Sequence, residues 1–205
     1  MAIELPPQAT RVTVLRHGAV QGRAHVLRGI LEDPLSPEGE AAMTAVLARL
    51  DAPVVDAVLS SPQRRCLDFA RAWARRRGVP LHVVADLRER AFGTWEGLST
   101  VEVQALDPQH FRRFHLDGAA PPGGESLAEL RRRVRAAWRE CVAGAVGGHR
   151  LLITHAGVMR VLLMELLGLP ARHAWRIALP PAAHFQVSLL AGEAPVLLSL
   201  NPCAA

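Results

Sequence analysis

Short apolar runs of strand length alternate along this 205-residue chain with longer segments that open on a helix cap and close on a helix stop. That alternation limits the possible folds more than any other feature. Arg11 to Leu15 alternates and is β-branched enough for a strand, and Arg16-His17-Gly18 breaks it. Ser36-Pro37-Glu38 supplies an N-cap, a first-turn proline and a first-turn acid, which predicts a helix through about Leu50. Val54 to Leu59 is an apolar strand interrupted only by Asp56, and Ser60-Ser61-Pro62 opens a second helix running to Arg75-Arg76-Arg77-Gly78. Leu81 to Val84 is a short third strand, followed by a charged, glycine-containing loop from Asp86 to Leu98. Ser99 to about His115 and Ser126 to about Ala143 read as helices on either side of a Pro- and Gly-rich stretch, Gly118 to Gly124. Arg150 to Thr154 is a strand, His155-Ala156-Gly157 a turn, and Val158 to Leu167 an apolar helix. Strands near His184 to Leu190 and Val196 to Leu200 finish the chain.

This order predicts one domain over residues 1–205: a three-layer α/β/α sandwich around a largely parallel sheet, with a small helical insertion at about 99–144. Ligands in such sheets bind beyond the carboxyl ends of the strands. His17 and His155 each directly follow an apolar strand, and a glycine stands within two residues of each, leaving room for a ligand near the backbone. Arg16 flanks the first histidine, and Arg64 stands at the start of the second helix. Guanidinium groups are planar forks that hold phosphate oxygens in pairs, so these four residues suggest a phosphate pocket.

Composition narrows the partners. The 24 basic residues are all arginine against 19 acidic ones, a net charge of +5 that suits small phosphorylated or acidic ligands. Arginine runs at Arg75–Arg77 and Arg131–Arg133 invite a nucleic-acid reading, but Leu127, Leu130, Val134 and Trp138 form an apolar stripe beside the second run. That is an amphipathic helix with a solvated face, and no nucleic-acid-binding motif accompanies the charge. Cys66, Cys141 and Cys203 are odd in number with no paired spacing, as expected in a reducing cytoplasm. The start, Met1 to Gln8, has no export pattern, and no apolar stretch reaches membrane-spanning length. His25, His82, His110, His115, His149, His173 and His184 show no zinc-type spacing, so neither a metal nor an organic cofactor is expected. No feature speaks to oligomeric state.

Leu15-Arg16-His17-Gly18 resembles the Arg-His-Gly signature of the histidine phosphatase superfamily, which includes the cofactor-dependent phosphoglycerate mutases. Further matches follow in the family's order: Arg28-Gly29, Pro34 to Gly39, Ser60-Ser61-Pro62 with Arg64, Leu87 with Glu89, Phe92-Gly93 with Trp95-Glu96-Gly97, Gly123 to Ser126, and Thr154 to Val158. The ordered set spans roughly Val12 to Leu169 and is far more specific than any one motif. The resemblance implies a phosphoglycerate mutase-like fold, with His17 as nucleophile, Arg16, Arg64 and His155 as phosphate clamp, Ala156 beside the bound group, and Glu89 as proton donor. Asp86 and Glu96 share a loop with Glu89, and family spacing favours Glu89. The first loop departs from the family: Ala19 and Val20 replace its acid-threonine pair, and Arg23 stands at the usual asparagine, as a candidate phosphate or substrate contact. Ser60 and Ser61 fit either a helix cap or a phosphate contact.

A neutral imidazole nitrogen can attack phosphorus in line while its other nitrogen is held by a hydrogen bond, giving a phosphohistidine. Charge on the non-bridging oxygens then needs cationic donors, and the leaving oxygen needs an acid. The expected activity is phosphomonoester hydrolysis on a small phosphorylated metabolite. The compact length and the Pro-Leu-Ser run resemble the α-ribazole phosphatases within the family. Two alternatives stand beside it: mutase-type transfer to a bound hydroxyl, and phosphate binding without turnover.

Overall fold

The computed structural model describes residues 6–50, 54–143 and 146–201. Cys203, the first five residues and residue 144 of the expected insertion lie outside them. The elements follow in the order β1 (Thr10–Arg16), α1 (Pro37–Arg49), β2 (Ala57–Ser60), α2 (Arg64–Arg77), β3 (Leu81–Val83), α3 (Thr100–Leu106), α4 (Pro108–Asp117), α5 (Leu127–Trp138), β4 (His149–Thr154), α6 (Ala156–Leu167), α7 (Ala171–Ala174), β5 (His184–Leu189) and β6 (Val196–Asn201). The strands form a six-stranded sheet in the order β3-β2-β4-β1-β5-β6. β3, β2, β4 and β1 pair in parallel, while β5 is antiparallel to both its neighbours, so the sheet is mixed.

The two faces follow from the period of two in strand side chains. Val12, Val14, Leu152, Phe185 and Val187 bury one face against α5 and α6 through Leu130, Val134, Met159 and Leu162. Leu15, Val58, Leu151 and Ile153 bury the other against α1 and α2 through Met43, Val46, Cys66 and Phe69. Helices on both faces of a sheet make the three layers expected from the alternation.

Two local differences have physical causes. The segment from Ser99 to His115 is two helices, because Pro108 starts α4 and Asp107 accepts from the His110 amide as its cap. The insertion is also narrower than 99–144. Only α3 and α4 stand aside around their own cluster of Trp95, Val103 and Phe114, whereas α5 is part of a core layer and continues into a π-helical turn, Arg139–Ala143.

Candidate active site

Strand register brings the two histidines together. β1 and β4 are parallel neighbours with Arg16 opposite Thr154, so both strands end at the same edge. The His17 amide continues the ladder by donating to the Thr154 carbonyl at 2.9 Å. The two imidazole rings meet edge to face, with centroids 5.2 Å apart. β2 ends beside them, where the Ser61 amide donates to the Ile153 carbonyl at 3.0 Å. Gly18 makes this turn possible, because a Cβ there would collide with the Gly39 carbonyl.

Each ring's proton follows from its partners. His17 Nδ1 lies 2.8 Å from the Gly18 carbonyl, which can only accept, so Nδ1 carries the hydrogen and Nε2 keeps a free lone pair. In His155, Nδ1 accepts from Arg65 Nε at 3.3 Å, so Nε2 carries the hydrogen and donates to Ser61 Oγ at 2.7 Å. Burial holds both imidazoles well below the ordinary histidine pKa, with Arg16 and Arg65 beside His17 and Arg65 beside His155 adding to it. Both rings are therefore neutral at physiological pH.

A cavity of about 210 Å³ opens on His17. Arg16, Arg28, Arg65, Glu89, Arg90, Ala156, Gly157 and Arg160 line its polar parts. Apolar walls come from Leu27, Phe92, Phe114, Leu127, Met164 and Trp175, among others. Burial pushes Arg16 down to about 10, against the pull of Glu89, which still leaves it charged at neutral pH. Cys66 Sγ lies 3.6 Å from His155 Nε2, but burial pushes its thiol up to about 12, so it is no rival nucleophile.

Glu89 is the one carboxylate that lines this cavity among the described residues. Its Oε1 accepts from the Arg90 amide at 2.8 Å and its Oε2 from the Gly157 amide at 3.2 Å, next to the start of α6. A Cβ at residue 157 would collide with Glu89 Oε1, which explains why glycine stands there. Gln63 and Arg133 pin the Glu89 backbone. Gln63 Oε1 accepts from the Glu89 amide at 2.8 Å while its Nε2 donates to the Gly29 carbonyl at 2.7 Å. Arg133 donates to the carbonyls of Asp86, Arg88 and Glu89 and is paired with Glu125 at 2.7 Å. The second arginine run is therefore not wholly a solvated face, since Arg133 is buried. Asp86 pairs with Arg88 near the surface, and Glu96 accepts from the amides of Phe92 and Ile30, so neither competes with Glu89.

Four expected site residues, Arg16, His17, Glu89 and Ala156, line the cavity, and three differ from expectation. Arg64 points outward, pairs with Asp68 at 3.4 Å and does not line the cavity; its neighbour Arg65 does. Arg65 is buried and donates to the Leu31 and Gly29 carbonyls as well as to His155. The helical period carried this signal, because Arg65 precedes Phe69 by four on the buried stripe of α2, whereas Arg64 precedes the exposed Asp68. Arg23 is exposed and pairs with Glu102 at 2.9 Å, away from the cavity, so it does not stand in for the asparagine there. His155 is buried behind His17 with both nitrogens taken by protein groups, and it orients Arg65 without lining the cavity wall. Ser61 serves His155, not the cap of α2, whose N-cap is Gln63.

A sequence profile of the histidine phosphatase superfamily (branch 1) matches residues 12–202. The chain is 34% identical over 183 residues to a bifunctional protein of Mycobacterium tuberculosis, covering 85% of this chain but 49% of that one, so it spans about half that relative's length. It is 36% identical over 172 residues to the glucosyl-3-phosphoglycerate phosphatase of Mycolicibacterium vanbaalenii, covering 78% of this chain and 75% of that one. With the adenosylcobalamin/alpha-ribazole phosphatase of Salmonella typhimurium it shares 26% identity over 187 residues, 90% of this chain and 93% of the other. Among solved structures, a mycobacterial glucosyl-3-phosphoglycerate phosphatase superposes with a TM-score of 0.80 at 25% identity, covering 96% of this chain and all 100% of that one.

Proposed function

The chain belongs to the histidine phosphatase superfamily, and from that premise we propose that it hydrolyses small phosphomonoesters through a phosphohistidine on His17. The observation that carries this reading is the hydrogen bond from His17 Nδ1 to the Gly18 carbonyl. It leaves the lone pair on Nε2 of a neutral ring that lines an arginine-rich cavity.

Nε2 attacks phosphorus, a nitrogen–phosphorus bond forms, and the bond from phosphorus to the ester oxygen breaks. Arg16 and Arg65 take the charge on the non-bridging oxygens, fixed in place before reaction by burial and by backbone carbonyls. Glu89 gives its proton to the departing oxygen, then takes one from the water that attacks the phosphohistidine, releasing phosphate and restoring neutral His17. The Arg90 and Gly157 amides hold its carboxylate for both steps. Among the described residues no group of side chains has the make-up of a metal site, and the steps above use none. Two free thiols, Cys66 and Cys141, are compatible with a cytoplasmic setting.

The test is phosphate release from a panel of phosphomonoesters with chelator present, including α-ribazole phosphate, glucosyl-3-phosphoglycerate and 3-phosphoglycerate, beside His17→Ala. Chelator-resistant release that disappears in the variant is expected. Isomerisation of phosphoglycerate outrunning phosphate release would replace hydrolysis by mutase-type transfer, and tight ester binding without a trapped phosphohistidine would replace it by binding alone.

A further inference from the structure

Five arginines line the cavity, and four of them have acceptors. Arg16 donates to the Leu179 carbonyl, Arg28 to Asp33 and the Arg23 carbonyl, Arg65 to the Leu31 and Gly29 carbonyls, and Arg90 to the carbonyls of Gly118, Ala119 and Glu125. The Arg160 side chain has neither a hydrogen bond nor an ion pair with any described residue, and its Nε is buried without a partner. Its guanidinium lies over the Trp175 ring, 4.9 Å from the ring centroid. A partly buried cation stacked on an aromatic face with no acceptor in hydrogen-bond or ion-pair contact carries a desolvation cost that is only partly offset, and such a cation is normally paired.

Its place in the cavity says which part of a ligand could pair with it. Arg160 lies one turn beyond Gly157 on α6, so it shares the helix face that holds the Glu89 carboxylate. Its strongest charged neighbour is Glu89, the group that protonates the leaving oxygen. Arg160 thus stands on the leaving-group side, among the apolar walls of Phe114, Met164 and Trp175. Building on the phosphomonoesterase reading, we infer that Arg160 binds a second anionic group, a carboxylate or phosphoryl, on the alcohol half of the substrate, whose body is apolar. The substrate class is then a doubly anionic ester, with one anion for His17 and one for Arg160.

Three para-substituted probes test this: para-carboxyphenyl phosphate, its neutral isostere para-carbamoylphenyl phosphate, and the larger para-phosphonophenyl phosphate. A charge-assisted hydrogen bond predicts kcat/KM about ten- to a hundredfold higher for the anionic probe that fits than for the neutral one. The better of the two anionic probes separates a carboxylate from a phosphoryl ligand. Arg160→Leu removes the preference chiefly through KM, and Arg160→Lys restores part of it. Binding of the same probes to the His17→Ala protein reads the subsite without turnover. Equal affinity for charged and neutral probes there overturns the subsite, whatever the parent hydrolyses. A preference that persists there when the parent releases no phosphate overturns the hydrolase reading and leaves the subsite standing. Equal losses on all three probes in Arg160→Leu would also overturn it, by assigning Arg160 to the transferred phosphate.

Discussion

The end of the cavity that holds His17 is made from the carboxyl end of β1 and the starts of α2 and α6, which follow β2 and β4, whereas the end that holds Phe114 and Trp175 is made from α4 and the segment after α7. At the first end, positions follow from ladder register: Arg16 sits opposite Thr154, and the His17 and Ser61 amides extend the ladder by one bond each. At the second, no ladder reaches the wall. Phe114 and Trp175 are held by a ring cluster with Trp95, Phe92 and His115, and contacts of that kind are redirected by a change of one side chain. On the proposed mechanism the comparison separates the roles: hydrogen-bonded strand ends hold the groups assigned to the phosphate, and the ring-packed wall is assigned the choice of what the phosphate is attached to.

The largest effect that could break this division is at His17, the proposed nucleophile. His17→Ala lowers kcat/KM by about 10⁴-fold or more on every substrate and abolishes acid-labile labelling by phosphate. Glu89→Gln costs about 10²- to 10⁴-fold, with the smaller loss on esters whose leaving group needs no proton, which a leaving-group series measures. The adjacent arginines sharpen the comparison within α2: Arg65→Ala loses about 10²- to 10³-fold in kcat, while Arg64→Ala, at the surface, stays within about twofold. Comparable losses in both would mean that burial does not decide which arginine matters. Smaller again is Phe114→Leu at the other end, expected to raise KM for aromatic esters several-fold and to act less on kcat, as steady-state kinetics would reveal.

The pH response is read on stability, not on catalysis, and concerns only the strand-built end. His17 and His155 are held well below their ordinary pKa when folded, so the unfolded chain binds more protons than the native one once the pH falls below about 6.5. Stability is full above that value and declines as pH drops toward the folded pKa values, by up to about 1.4 kcal/mol per pH unit for each ring. Thermal melts between neutral and mildly acid pH should show that decline, and His155→Gln, which removes one of the two rings, should flatten it.

The layered fold was legible because its signals are local. Ser36-Pro37 and Ser126 cap helices, Gly78 and Gly168 end them in left-handed conformations, and apolar runs mark the strands. The strand-end histidines were legible for the same reason. The motif leaves a one-residue ambiguity between Arg64 and Arg65, which the period of α2 resolves once its buried face is known, with Arg65 four residues before the buried Phe69. The place of Arg23 is not legible locally, because the first loop departs from the family pattern and its side chain follows Glu102, 79 residues away.

By itself the sequence determined the element order, the helix ends and the place of each histidine at the end of its own strand, with Arg16 beside the first, since these depend on neighbours within one or two turns. Only the tertiary structure decided that His155 is taken up by Arg65 and Ser61, that Gly157 leaves room for Glu89, and that the Arg160 side chain has no acceptor among the described residues. Those facts depend on groups from separate elements meeting within hydrogen-bond distance, and local patterning carries no information about such distances.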